Sequence, residues 1–267
     1  MKKASRGFIS LCLAICLCFS MSVFAAATDS VKLEDDELLP VTVEGPIDPK
    51  IYEMLDSYNN GTFVERNADP DIDPVILFSA NSTENQVVTA SANEDQKVEY
   101  LYDIEHLDGL TYEATAVAVY ELEQTSQDEA DGVVLFCSIV YEKAPFTLDE
   151  AAAYPLVMLK EVKGGVVQNN GNYWCEYLNM RYSVHGDAYD ESGDRIGPRG
   201  EETDFDDYSN IVSPQEGVAY SIDGPCDYYY DPNVFNSGIA GFTRGFISYR
   251  LSSYRNELIV STGIMWS

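Results

Sequence analysis

Asp187 and the stretch "DESGDRIGPRGEETDFDDYSN" (190–210) together hold nine carboxylates against two arginines, Arg195 and Arg199. Carboxylates at this density raise the question of calcium, which takes about six to eight oxygens converging on one point, commonly from alternating acidic positions beside a glycine turn. Here they come from both sides of a turn and meet no ligand spacing, so the stretch reads as a solvated loop. Were it to hold calcium, Asp204, Asp206 and Asp207 are the candidate donors. Upstream, "NADPDIDP" sets Asp69, Asp71 and Asp73 at the spacing that opens a calcium-binding helix-loop-helix. Pro74 then stands where that loop needs its glycine, and no glutamate follows at the closing position.

In "SVHGD", Ser183, His185 and Asp187 follow the order of a nucleophilic triad on one face of an expected strand. Side chains two apart on a strand stand side by side, roughly 6 to 7 Å between attachment points, and this serine has neither a sharp turn nor an evident oxyanion hole. Alternation alone predicts polar residues there. His106 is the only other histidine, and the cysteines and carboxylates around it keep no recognised zinc spacing. No catalytic residue and no cofactor is therefore assigned, although 45 acidic residues leave a paired-carboxylate glycosidase open.

One binding candidate comes from "CDYYYDPNVF". An extended backbone puts Tyr228 and Tyr230 on one face and Tyr229 on the other. If the pair is exposed, it could stack on a sugar or clasp a protein; ordinary burial with hydroxyls reaching the surface is the competing reading.

These residues need elements to position them. Lys2, Lys3 and Arg6, the apolar run Phe8–Phe24 and then Ala25-Ala26-Ala27 predict a secretory signal cut after Ala27, hence export to the extracellular side with no membrane attachment of the product. Removal of that leader leaves 16 − 3 = 13 basic residues against 45 acidic, a net charge of −32. Nucleic acid is excluded as a partner, because its binding depends on Lys and Arg displacing counterions. Three cysteines remain, Cys137, Cys175 and Cys226, which allow at most one internal disulfide. Cys137 falls on the apolar face of its strand, so Cys175 with Cys226 is the pair expected by elimination.

Residues 28–97 carry four aromatics and five prolines, and 98–267 carry 25 aromatics. That contrast predicts a flexible, acidic segment over 28–97 and a folded domain over 98–267. Within the segment, Asp48 as cap, Pro49 at the first turn and Gly61 at the end bound a short helix at 49–59, with Ile51, Met54, Leu55 and Tyr58 on one face. Beyond residue 98, "TYEATAVAVYELE" and "GVVLFCSIVYEK", rich in Val, Ala and Tyr and joined by a polar stretch, and the alternation in "WCEYLNMRYSVHGDAYD" predict antiparallel strands, as does the end of the chain with Leu258, Val260, Thr262, Ile264 and Trp266 on one face. At least seven such strands favour a mainly β fold, a β-sandwich first and a closed β-barrel second.

The resulting expectation is an exported, monomeric, β-rich protein that acts by binding a surface glycan or protein. A secreted hydrolase is the alternative, and a passive extracellular structural protein comes third.

Overall fold

The computed structural model describes residues 39–64, 96–122, 132–148, 155–203, 211–234, 237–250 and 255–266. All of them lie in one compact unit, Glu34–Ser267. The expected mainly β, antiparallel architecture is found. Its strands are β1 (Thr42–Pro46), β2 (Gln96–Asp108), β3 (Thr111–Leu122), β4 (Val133–Lys143), β5 (Val157–Gln168), β6 (Tyr173–Tyr189), β7 (Arg195–Glu202), β8 (Ile211–Val212), β9 (Val218–Asp223), β10 (Tyr229–Tyr230), β11 (Ser237–Tyr249) and β12 (Arg255–Trp266). A single helix among the described residues, α1 (Pro49–Asn59), joins β1 to them.

The strands form one sheet whose path runs β12-β11-β6-β10-β5-β4-β3-β2, with β1, β7, β8 and β9 attached off it. The sheet curls into a half-barrel that wraps its larger core, built from alternate residues such as Ala114, Ala116 and Ala118 on β3, Leu135, Cys137 and Ile139 on β4, and Val260 and Ile264 on β12. Glycine lets the wall close tightly: a Cβ on Gly241 would lie 2.6 Å from Ile139 and 2.8 Å from Val162, so β11 rests on β4 and β5 across the interior. The Tyr100 hydroxyl on β2 also reaches β12, donating to the Ile259 carbonyl at 3.3 Å.

The expected helix forms with its expected cap, Asp48 Oδ1 accepting from the Lys50 amide at 2.9 Å. Its placement corrects the division of the chain. Residues 39–64 belong to the folded unit: β1 pairs antiparallel with β9, and Ile51, Met54 and Leu55 bury against Val117, Val119, Val134, Phe136 and Val167 on the outer face of the sheet. An apolar helix face too short to stand alone gains its stability by docking on an apolar sheet face.

Beside that apolar floor the same outer face turns polar. Thr115, Ser138, Lys163 and Ser221 stand in register across β3, β4, β5 and β9. The hydroxyls of Thr115 and Ser138 share a 2.8 Å hydrogen bond, and Ser221 donates to Glu44 on β1 at 2.6 Å. Buried polar groups in this row are thus partnered by neighbouring strands, as burial requires.

Candidate functional site

The calcium candidates Asp204, Asp206 and Asp207 lie outside the described residues, as do Asp69, Asp71 and Asp73. Upstream of them, Gly193 has a φ of +81° in a turn where Asp190 Oδ1 accepts from the Ser192 and Asp194 amides, the tight connection that its sequence predicts. Gly197–Glu202, expected as surface loop, is instead the greater part of β7, laid antiparallel along β6 and exposed. Among the described residues no three His, Cys, Asp or Glu side chains converge as metal ligands.

Ser183, His185 and Asp187 do share a face of β6, and neighbours outside the trio engage two of them. Arg195 donates to Asp187 at 2.6 Å, while His185 Nε2 lies 3.5 Å from Glu202 and its ring covers Gly200. The expected tyrosine pair is corrected in one member. Tyr228 and Tyr230 both pack toward the larger core and Tyr229 faces away, as alternation requires, but Tyr230 is 3 % exposed. β10 runs between β5 and β6, so a residue on its inner side has no surface to offer. Tyr228 is half-buried, with the Arg199 guanidinium 4.6 Å above its ring. Tyr229 is interior too: Phe146 meets it edge-on and its hydroxyl donates to Glu142 at 2.9 Å. Burial, with that carboxylate, pushes the Tyr229 hydroxyl up to about 12.

The three cysteines are free, which corrects the pairing of Cys175 with Cys226. Cys175 points inward beside Gly245 and donates to the Tyr177 carbonyl at 3.0 Å, whereas Cys226 is exposed in the turn after β9. Burial pushes the Cys137 and Cys175 thiols up to about 12.

A groove of about 540 Å³, which no local pattern signalled, lies between α1 and β2. Lys50, Glu53, Met54 and Ser57 line it from the helix, Phe63 and Val64 from the segment that follows, and Asp103, Ile104, Glu105 and His106 from β2. Helix termination builds its far wall. Gly61 takes a φ of +66°, and the amides of Thr62 and Phe63 both return to the Ser57 carbonyl, which holds Phe63 across from the strand. The floor is Met54 and Ile104, both buried.

One end of the groove is fixed by charge. Lys50 donates to Glu105 at 3.2 Å and, more closely, to Glu113 on β3, whose side chain is 7 % exposed. Lys163 supports Glu113 from the other side at 3.4 Å. Burial lowers the Lys50 ammonium, but the Glu113 and Glu105 carboxylates outweigh it and hold the ammonium above its usual range. Its charge is committed to the wall, as is that of Glu105, and Glu53 stands exposed on the helix side of the groove. His106 closes the rim, Nε2 lying 3.0 Å from the Gly109 carbonyl and the ring 4.8 Å from Tyr112. Such a cleft can hold an extended or amphipathic ligand by burial and charge.

No protein-family model matches the chain, and no curated protein and no solved structure is similar to it.

Proposed function

We propose that the protein is exported and works by binding, with the groove between α1 and β2 as its contact site. One observation carries this reading: the groove is preformed, with an apolar floor, an acidic rim and walls fixed by the Lys50–Glu113 ion pair and the Ser57 turn. Concave, largely preformed sites with a few placed polar groups are where ligands are held. A single-sign net charge of −29 on the chain further favours encounter with cationic or neutral partners over polyanions.

The test is a panel of soluble glycans and peptides screened against the wild type, Ser57→Trp, which fills the groove, and Tyr228→Ala, which removes the half-buried ring under Arg199. Binding lost in Ser57→Trp and kept in Tyr228→Ala is the expected outcome. The reverse pattern would move the contact to the tyrosine turn and defeat the reading.

A further inference from the structure

The pair Asn-Gly occurs twice among the described residues, each time after a further asparagine: Asn60–Gly61 ends α1, and Asn170–Gly171 joins β5 to β6. In such a pair the glycine nitrogen can attack the asparagine carboxamide carbon, because no Cβ shields the approach. The two sites share their local sequence, so the fold decides between them.

At Asn170 the main chain closes the turn, its amide donating to the Tyr173 carbonyl at 2.9 Å and the Tyr173 amide donating back at 3.1 Å. The side chain folds forward as well, and Oδ1 accepts from the Asn172 amide at 2.7 Å. That bond closes a ring containing the Gly171 nitrogen, which brings the carboxamide over it. The Asn172 N–H also stands where negative charge gathers on Oδ1 during attack, the position of an oxyanion-hole donor. Gly171 itself is exposed, a Cβ there would meet nothing within 4 Å, and its N–H has no partner among the described residues.

Asn60 differs in each respect. The Gly61 N–H donates to the Tyr58 carbonyl at 2.9 Å, and the Thr62 N–H goes to the Ser57 carbonyl rather than to the Asn60 side chain. The proton that must leave glycine is the one that base-catalysed hydrogen exchange removes, and a bonded amide keeps it until the structure opens.

We infer that Asn170 is a site of spontaneous covalent modification, converted to aspartate and isoaspartate through a succinimide, while the end of α1 holds Asn60 unreacted. Solvent hydroxide takes the Gly171 amide proton, and the nitrogen forms a bond to Cγ of Asn170. The Cγ–Nδ2 bond breaks as Nδ2 takes a proton from water and leaves as ammonia, which regenerates the hydroxide. Water then opens the ring. Attack at Cγ gives aspartate, and attack at the main-chain carbonyl gives isoaspartate, with the chain rerouted through Cβ and Cγ. The new carboxylate arises beside Asn169, whose amide donates to Glu216 at 3.0 Å. Isoaspartate also lengthens a turn whose Asn172 carbonyl accepts from Arg250 at the end of β11. Protection of Asn60 keeps the turn that builds the far wall of the groove.

The experiment ages the intact protein in mildly alkaline buffer, folded and in guanidinium chloride, and maps it by mass spectrometry. Trypsin releases the two sites in separate peptides, 164–181 and 51–66. Electron-transfer fragmentation then locates the converted residue and distinguishes isoaspartate from aspartate. In the folded protein Asn170 should convert at least about tenfold faster than Asn60, and in denaturant the two rates should come together. Gly171→Ala, which has room for its methyl group, should slow the conversion several-fold, and Asn170→Gln should abolish it. Equal rates at Asn60 and Asn170 in the fold overturn the proposal, as does a preference for Asn170 that persists unchanged in denaturant. An Asn170 that stays intact in the folded protein overturns it too.

Discussion

Lys50 on α1 donates to Glu113 on β3, and this ion pair ties the helix to the sheet at the closed end of the groove. A carboxylate this buried depends on its partner. Removing one member of a buried pair leaves an uncompensated charge, and that is more damaging than removing both. Glu113→Met is therefore expected to lower stability by about 3 kcal/mol, and Lys50→Met with Glu113→Met by distinctly less. Denaturant midpoints of the two variants check it; a double variant as damaged as the sum of the singles would mean that the two side chains do not act as a pair.

Docking of α1 makes a separate prediction. Ile51 is 1 % exposed, so Ile51→Ala should cost about 2 to 4 kcal/mol, in the range of buried aliphatic truncations. A helix standing clear of the sheet would lose no more than about 0.5 kcal/mol, as surface substitutions do. Limited proteolysis gives the parallel readout: residues 39–64 should remain with the β-strands in the resistant product.

Much of this fold is legible in the sequence because it is local. The cap–proline–glycine frame of α1, the Val-, Ala- and Tyr-rich runs of β3 and β4 and the alternation of β6 and β12 are properties of adjacent residues, and they translate directly into observed elements. What the sequence conceals is non-local. "TVEGP" carries charge, glycine and proline and reads as a tether, yet β9 gives it a pairing partner some 175 positions away, with a bulge between Val43 and Gly45. The groove joins Lys50 and Glu53 to Asp103 and Glu105 across half a hundred residues, so no spacing rule can reveal it. Alternation likewise sorts Tyr228 and Tyr230 onto one side but cannot say that the strand between them is flanked by β5 and β6.

The thiols are predicted to separate by access. Of Cys137, Cys175 and Cys226, only Cys226 is exposed in the native fold, so a thiol-specific chromogenic reagent at pH 8 should titrate one of the three rapidly and the other two only after unfolding. Fast labelling of Cys137 would mean that the core of β4 opens to solvent.

Alkaline stability follows from the same burial. Cys137, Cys175 and Tyr229 are held protonated in the fold up to about 12, against ordinary values near 9 for a thiol and 10 for a tyrosine. Between those values the unfolded chain releases protons that the folded chain keeps, so unfolding becomes more favourable as pH rises. Their contribution is complete below about pH 9 and should be lost between pH 9 and 12. Urea midpoints at pH 8, 9.5 and 11 should fall in that order; a flat series contradicts the burial of all three.

Hydrogen exchange at α1 and β2, measured with and without a saturating ligand from the glycan and peptide panel, tests the groove most directly. Bound ligand should slow amides within Thr62–Val64 and Asp103–His106, which line it, by at least about tenfold. The amides of β6 and β11, which already pair on both sides, should exchange as before. Ligand that leaves the groove segments unchanged, or protects the turn at Tyr228 in their place, would contradict a binding site between α1 and β2.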